Sequence, residues 1–251
     1  MKNKIILAYH RVLPDDFANE RGTLSVTTDN FENQIRYLLS NGYECVPVNE
    51  FMRNTNNSKK TFSITFDDGY RDNYFYAFPI LKKYNLSATI FIISNYIDTT
   101  NSLWFGSTRQ NYNTKEIDLS LSKNQITEML NHKIEFGSHT LSHPKLTKID
   151  KLVARKEIVE SKIKLEDLIG VKINQFCYPY GDCNNEIISE VENANYNYAL
   201  ITPPKHGIQN SNFTIKRTGV YLNDTMFKFK LKCTSMFYSF RERNIKELFN
   251  A

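Results

Sequence analysis

Read by hydrophobic pattern, the chain alternates short apolar runs with helical periods. Lys4 to His10 is a buried-strand run that ends on a polar residue, and Thr28 to Asn41 follows with Phe31, Ile35, Leu38 and Leu39 at helical spacing. Thr27 and Thr28 are its cap candidates and Gly42 its stop. Tyr43–Val48 reads as the next strand, the polar run Asn54–Ser58 as a loop, and Thr61–Phe66 as a β-branched and aromatic strand. The pattern then predicts a helix over Asn73–Tyr84, a strand over Ser87–Ile93 and a polar loop around Asp98–Lys115. Further on come a helix over Lys123–Asn131, a strand over Ile134–Gly137 and a long helix over Lys148–Ile169 closed by Gly170. A strand over Gln175–Tyr178, a helix over Asn185–Asn193 and a strand over Tyr196–Thr202 complete the series. Strands that alternate with helices pair in parallel, so the expected class is α/β, with polar residues at the strand C-terminal ends gathered at one mouth. There is no internal repeat and no low-complexity segment.

Two of those polar ends carry chemistry. The strand Thr61–Phe66 delivers Asp67-Asp68-Gly69, two adjacent carboxylates that point different ways, so that one can bind a cation while the other stays free as a base. Downstream, His139 and His143 are four residues apart, which puts both imidazoles on one side of a helical turn. One carboxylate with two histidines leaves a divalent metal open positions for water and substrate, the mark of a catalytic site. Alone, Asp-Asp-Gly is an ordinary turn and His-x3-His two surface histidines; their conjunction is what is specific.

The residues around them, Ser63-Ile64-Thr65-Phe66-Asp67-Asp68-Gly69-Tyr70 and Gly137-Ser138-His139-Thr140-Leu141-Ser142-His143-Pro144, closely resemble the polysaccharide deacetylases. This is the NodB-homology group, also called carbohydrate esterase family 4. A third block, Phe176-Cys177-Tyr178-Pro179-Tyr180-Gly181, extends the resemblance, which runs from about Ile5 to Val220. It implies an irregular (β/α)7 barrel, a zinc ion or another divalent transition metal held by Asp68, His139 and His143, Asp67 as general base, and the Tyr180 backbone N–H as an oxyanion donor.

Two departures from the family pattern stand out. The arginine that usually orients the catalytic aspartate is replaced by Cys177; Arg217, in Ile215-Lys216-Arg217-Thr218-Gly219-Val220, is a candidate substitute, its alternative being a surface arginine. No late Leu-x-His block supplies the proton donor. His206 in Pro203-Pro204-Lys205-His206-Gly207 is one candidate; His10, at the end of the first strand, is the favoured one, and its Tyr-His block resembles a circularly permuted subgroup in which the acid histidine comes first.

Composition narrows the picture further. With 251 residues and 41% hydrophobic content the chain can bury one substantial core. The expected division is a deacetylase barrel over 1–222 and a basic aromatic segment over 223–251. Residues 226–251 hold six basic and two acidic side chains, a net +4 of the chain's +5, interleaved with Phe227, Phe229, Phe237, Tyr238 and Phe240. That pattern suits either peripheral contact with a membrane surface or a helix docked on the barrel with a solvated basic face; nucleic acid is not the expected partner. The N-terminal apolar run is too short for a signal peptide, so a cytoplasmic protein, membrane-associated through this segment, is expected. The four cysteines, irregularly spaced, read as reduced thiols.

The expected function is metal-dependent N-deacetylation of an N-acetylated amino sugar, on a lipid-linked or other intermediate of surface-glycan assembly. Trp104 and Phe105 lean towards a sugar. The rivals are an amidase on a small non-sugar amide and a glycan-binding or assembly protein with impaired catalysis, which Cys177 keeps open.

Overall fold

The computed structural model describes residues 3–53, 59–100, 116–202 and 211–234. Its strands are β1 (Lys4–Tyr9), β2 (Arg11–Leu13), β3 (Ser25–Thr27), β4 (Glu44–Cys45), β5 (Thr61–Phe66), β6 (Ala88–Ile92), β7 (Ile134–Ser138), β8 (Gln175–Cys177), β9 (Tyr198–Ile201), β10 (Ile215–Lys216) and β11 (Thr218–Gly219). The helices are α1 (Asp15–Arg21), α2 (Thr28–Ser40), α3 (Val48–Arg53), α4 (Phe78–Lys83), α5 (Lys123–Leu130), α6 (Lys151–Ile169), α7 (Asn185–Asn193) and α8 (Met226–Lys232). The main sheet is parallel throughout and runs β10-β9-β8-β7-β6-β5-β1-β11, with β4 also on β5. Its two ends belong to one segment: β10 pairs with β9 (Lys216 opposite Ile201), and two residues later β11 pairs with β1 (Leu7 opposite Thr218). Residues 215–219 therefore close the sheet into the expected (β/α)7 barrel, with Arg217 at the seam.

Strand alternation sorts the core into two layers. Ile5, Leu7 and Tyr9 of β1, with Ile90 and Ile92 of β6, face outward into the cluster shared with the helices. Ile6, Phe91, Cys177 and Leu200 fill the lumen together with Val46, Val48 and Phe51. α3 stoppers the N-terminal end of that lumen, where Lys4 Nζ donates to the Phe51 carbonyl at 3.1 Å.

Three local expectations change. The strand expected over Tyr43–Val48 shrinks to Glu44–Cys45, because Pro47 has no N–H for the ladder and the chain turns in to form α3. The helix over Asn73–Tyr84 starts as a π-turn, Asn73–Ala77, before α4, whose first turn contains Pro79. Residues 11–27, given no element by the hydrophobic pattern, form β2, α1 and β3. By contrast α6 ends as expected, at Gly170 with φ 72°, but starts three residues later than expected, at Lys151, because Asp150 caps it, accepting from Leu152 N–H at 2.8 Å. The basic segment begins with α8, whose Phe229 and Cys233 join the main core while Phe227 is 72% exposed. No described helix is long and apolar enough to cross a membrane.

Candidate active site

Parity along β5 aims the first aspartate. Phe62, Ile64 and Phe66 pack outward, so Ser63, Thr65 and Asp67 face the lumen, and Asp67 arrives at its C-terminal rim. Its N–H is tied to the Tyr9 carbonyl at 2.9 Å. Asp68 then adopts φ 70° and Gly69 φ 73°, a left-handed pair that swings the second carboxylate away from the first. A Cβ on Gly69 would lie 3.0 Å from Ile92 Cγ1, so this turn also needs glycine for space.

Arg217 is 1% exposed and enters the lumen from the barrel seam. Its Nη1 and Nη2 donate to Asp67 Oδ1 and Oδ2 at 2.7 and 2.6 Å, a bidentate fork. The remaining N–H groups reach Thr65 Oγ1 (3.0 Å), Thr202 Oγ1 (2.8 Å) and Cys177 Sγ (3.0 Å), so all five guanidinium donors are used. Burial raises the Asp67 pKa, but the Arg217 charge and its paired hydrogen bonds outweigh burial and hold the carboxyl well below the usual carboxylate range. The arginine absent from the third block is thus supplied from the seam between β10 and β11, and Cys177 is small enough to admit it.

The second carboxylate meets the histidines. Asp68 Oδ1 lies 3.5 Å from His139 Nε2 and 3.3 Å from His143 Nε2. Two bonds of about 2 Å subtend roughly this separation at a tetrahedral centre, so the three groups fit one small divalent cation. His139 Nδ1 is 2.7 Å from the Cys177 carbonyl, which fixes the tautomer with Nε2 available as a ligand. Burial disfavours a charged His139, yet Cys177 and Asp68 beside it lift its pKa well above the ordinary value. Burial pushes His143 down to about 4, leaving it the neutral imidazole that a metal ligand must be.

The helical turn expected under the two histidines is not formed. Residues 139–143 are a loop in which Thr140 has φ 69° and His143 φ 66°. The histidines converge because the chain reverses, not because they share a helix face; their ring centroids are 4.8 Å apart. Tyr180, in a single turn at φ 59°, lays its half-exposed ring against His143 at 4.6 Å. His10 Nε2 stands 3.9 Å from Asp67 Oδ2, and Asn73 Nδ2 holds the His10 carbonyl at 3.0 Å. His206, Trp104 and Phe105 lie outside the described residues, as do residues 235–251 of the basic segment.

Three supporting carboxylates lie outside the motifs that the sequence displays. Glu157 accepts from Ser142, Asp182 accepts from both the N–H and hydroxyl of Thr147 (2.8 and 2.6 Å), and Asp72 binds Arg11 beside His10 (2.6 Å). Glu157 has a readable signal, an acid on the inward stripe of α6 set by the apolar Ala154, Ile158 and Leu165. The other two have none.

A parallel barrel whose mouth carries an Asp-His-His cluster able to hold one cation, beside an arginine-held aspartate, is the architecture of a hydrolase. The sequence profile of the polysaccharide deacetylases matches residues 54–199, and the chain belongs to that family, whose members are hydrolases acting on the amide of N-acetyl sugars. It is 30% identical over 203 residues to YxkH of Bacillus subtilis, a candidate polysaccharide deacetylase, covering 79% of this chain and 64% of that one. The chain thus spans just under two thirds of that relative's length. It is also 30% identical over 223 residues to the poly-beta-1,6-N-acetyl-D-glucosamine N-deacetylase of Staphylococcus epidermidis, covering 80% and 73% of the two chains. Among solved structures it resembles the Streptococcus pyogenes deacetylase PplD in complex with acetate, with a TM-score of 0.75 at 25% identity over 93% of this chain and 99% of that one.

Proposed function

We propose that this protein is a metal-dependent N-deacetylase that hydrolyses the acetamido group of an N-acetylated amino sugar in a surface glycan or one of its assembly intermediates. The observation that carries this reading is the bidentate Arg217–Asp67 pair beside the Asp68, His139 and His143 cluster, since it supplies the catalytic carboxylate with the partner that Cys177 displaces from the third block. The same pair speaks against an impaired glycan-binding protein.

A divalent metal such as zinc, held by Asp68, His139 and His143, would polarise the acetyl carbonyl and acidify water at the site. Asp67, kept ionised by Arg217, takes the proton from the attacking water as its oxygen bonds to the carbonyl carbon. The Tyr180 backbone N–H donates to the oxyanion that develops there. His10, at the rim beside Asp67, protonates the sugar nitrogen as the C–N bond breaks, releasing acetate and a free amine. A lipid-carried form of the substrate, met at the cytoplasmic face of a membrane, draws support from α8, which buries Phe229 but presents Phe227, Leu231 and lysines outward.

The test is acetate release from short β-1,6-linked N-acetylglucosamine oligomers, followed with the appearance of free amines by mass spectrometry. Expected is turnover that a strong chelator abolishes and added zinc restores. Cleavage of small non-sugar amides with no action on any N-acetylated sugar would overturn the reading in favour of the amidase.

A further inference from the structure

The strained histidine loop is bolted at both shoulders to one helix. At its start, Ser138 Oγ lies 2.7 Å from Ser161 Oγ of α6 and accepts from Thr140 N–H at 3.3 Å. At its far side, Ser142 donates both its N–H and its hydroxyl to the Glu157 carboxylate, at 2.9 and 2.6 Å. Glu157 and Ser161 are four residues apart, one turn of α6; the span they clamp, Ser138–Ser142, contains His139, and His143 follows it directly. Inside the loop, His143 N–H donates to Thr140 Oγ1 at 2.9 Å, and the carbonyls of Thr140 and Leu141 accept from Ser94 and Asn95 at 3.1 and 3.0 Å. Left-handed backbone at a β-branched residue such as Thr140 persists only where the surroundings over-determine it.

We propose that Glu157 is a positioning residue for the metal: through Ser142 it holds the loop in the one reversed conformation that brings His143 to Asp68 and His139. Glu157 touches none of the three ligands, and an ordinary structural acid on a helix's inner face would not be forked onto the residue next to a ligand. The inference rests on Asp68, His139 and His143 being the ligands, as proposed above.

Zinc affinity of the metal-free protein, measured by competition with a chromophoric chelator, provides the test. Glu157→Ala should weaken binding roughly 10- to 100-fold, the usual consequence of losing an outer partner of a metal site. Glu157→Gln, whose amide can still bridge Ser142 N–H and Oγ, should stay within about threefold of the parent. Should Glu157→Ala fail to fold, Ser142→Ala carries the test. Ser142 is exposed, so the melting temperature of the metal-free variant should move by no more than about 2 °C while zinc binding weakens roughly threefold or more. Parent-like zinc affinity in both Glu157→Ala and Ser142→Ala would overturn the proposal, as would a loss in Glu157→Gln as large as in Glu157→Ala. A parent that takes up no zinc would overturn the ligand assignment, and the clamp with it.

Discussion

Arg217 grips Asp67 across 150 residues of sequence through two parallel hydrogen bonds of 2.7 and 2.6 Å, and neither side chain has solvent to turn to. The fork sets the direction of the carboxylate as well as its charge.

Arg217→Lys keeps the charge but not the fork, and should lower kcat roughly a hundredfold with metal content unchanged. Arg217→Met leaves Asp67 buried and uncompensated, costing about 3–5 kcal/mol, so the melting temperature should drop by roughly 6–20 °C. Adding Asp67→Asn to Arg217→Met should recover part of that loss. Steady-state kinetics and thermal unfolding check both points, and parent-like turnover in Arg217→Lys would remove the positioning role.

The proton donor can be assigned by exchange of histidines. His10→Ala should lower kcat by roughly 10²–10⁴ and abolish the alkaline limb of the pH–rate profile, with metal retained. His206→Ala should do neither. The opposite pattern would return the acid to the late position common in the wider family.

The Asp67 pKa lies below its ordinary value in the folded chain, so its pairing stabilises the protein in full above about pH 5 and fades as pH falls below about 4, when the unfolded chain takes up the proton first. Urea midpoints of the metal-free protein and of Asp67→Asn, measured from about pH 6 down to about pH 3, should therefore converge as pH falls. A gap that stays constant over that range would contradict the assignment.

Removing either histidine from the cluster should separate binding from turnover. His139→Ala and His143→Ala should lose stoichiometric metal by elemental analysis, whereas Asp67→Asn should keep its metal and lose at least about a hundredfold in kcat. Full metal occupancy in both histidine variants would refute the ligand set.

Much of this arrangement was legible before any fold was known. Alternation along Thr61–Phe66 already sends Asp67 inward with Ser63 and Thr65, and the same parity along Lys4–Tyr9 brings His10 to the rim, because a strand's two faces are written in its residue order. The strand-and-helix order implied parallel pairing, and the residue types of Asp68, His139 and His143 implied a cation.

Tertiary structure alone decided how these pieces meet. His139 and His143 looked like one face of a helical turn, yet they converge through a loop reversed at Thr140 and pinned by Glu157 and Ser161, contacts that no local period encodes. Arg217 could have been a surface residue; it becomes the partner of Asp67 because Lys216 registers against Ile201 on one side and Thr218 against Leu7 on the other, so closing the barrel forces the side chain between them into the lumen. Local sequence sets which face a side chain occupies, whereas the register of strands far apart in the chain sets which side chains share that face at one height, and the charge pairing of this site depends on the second.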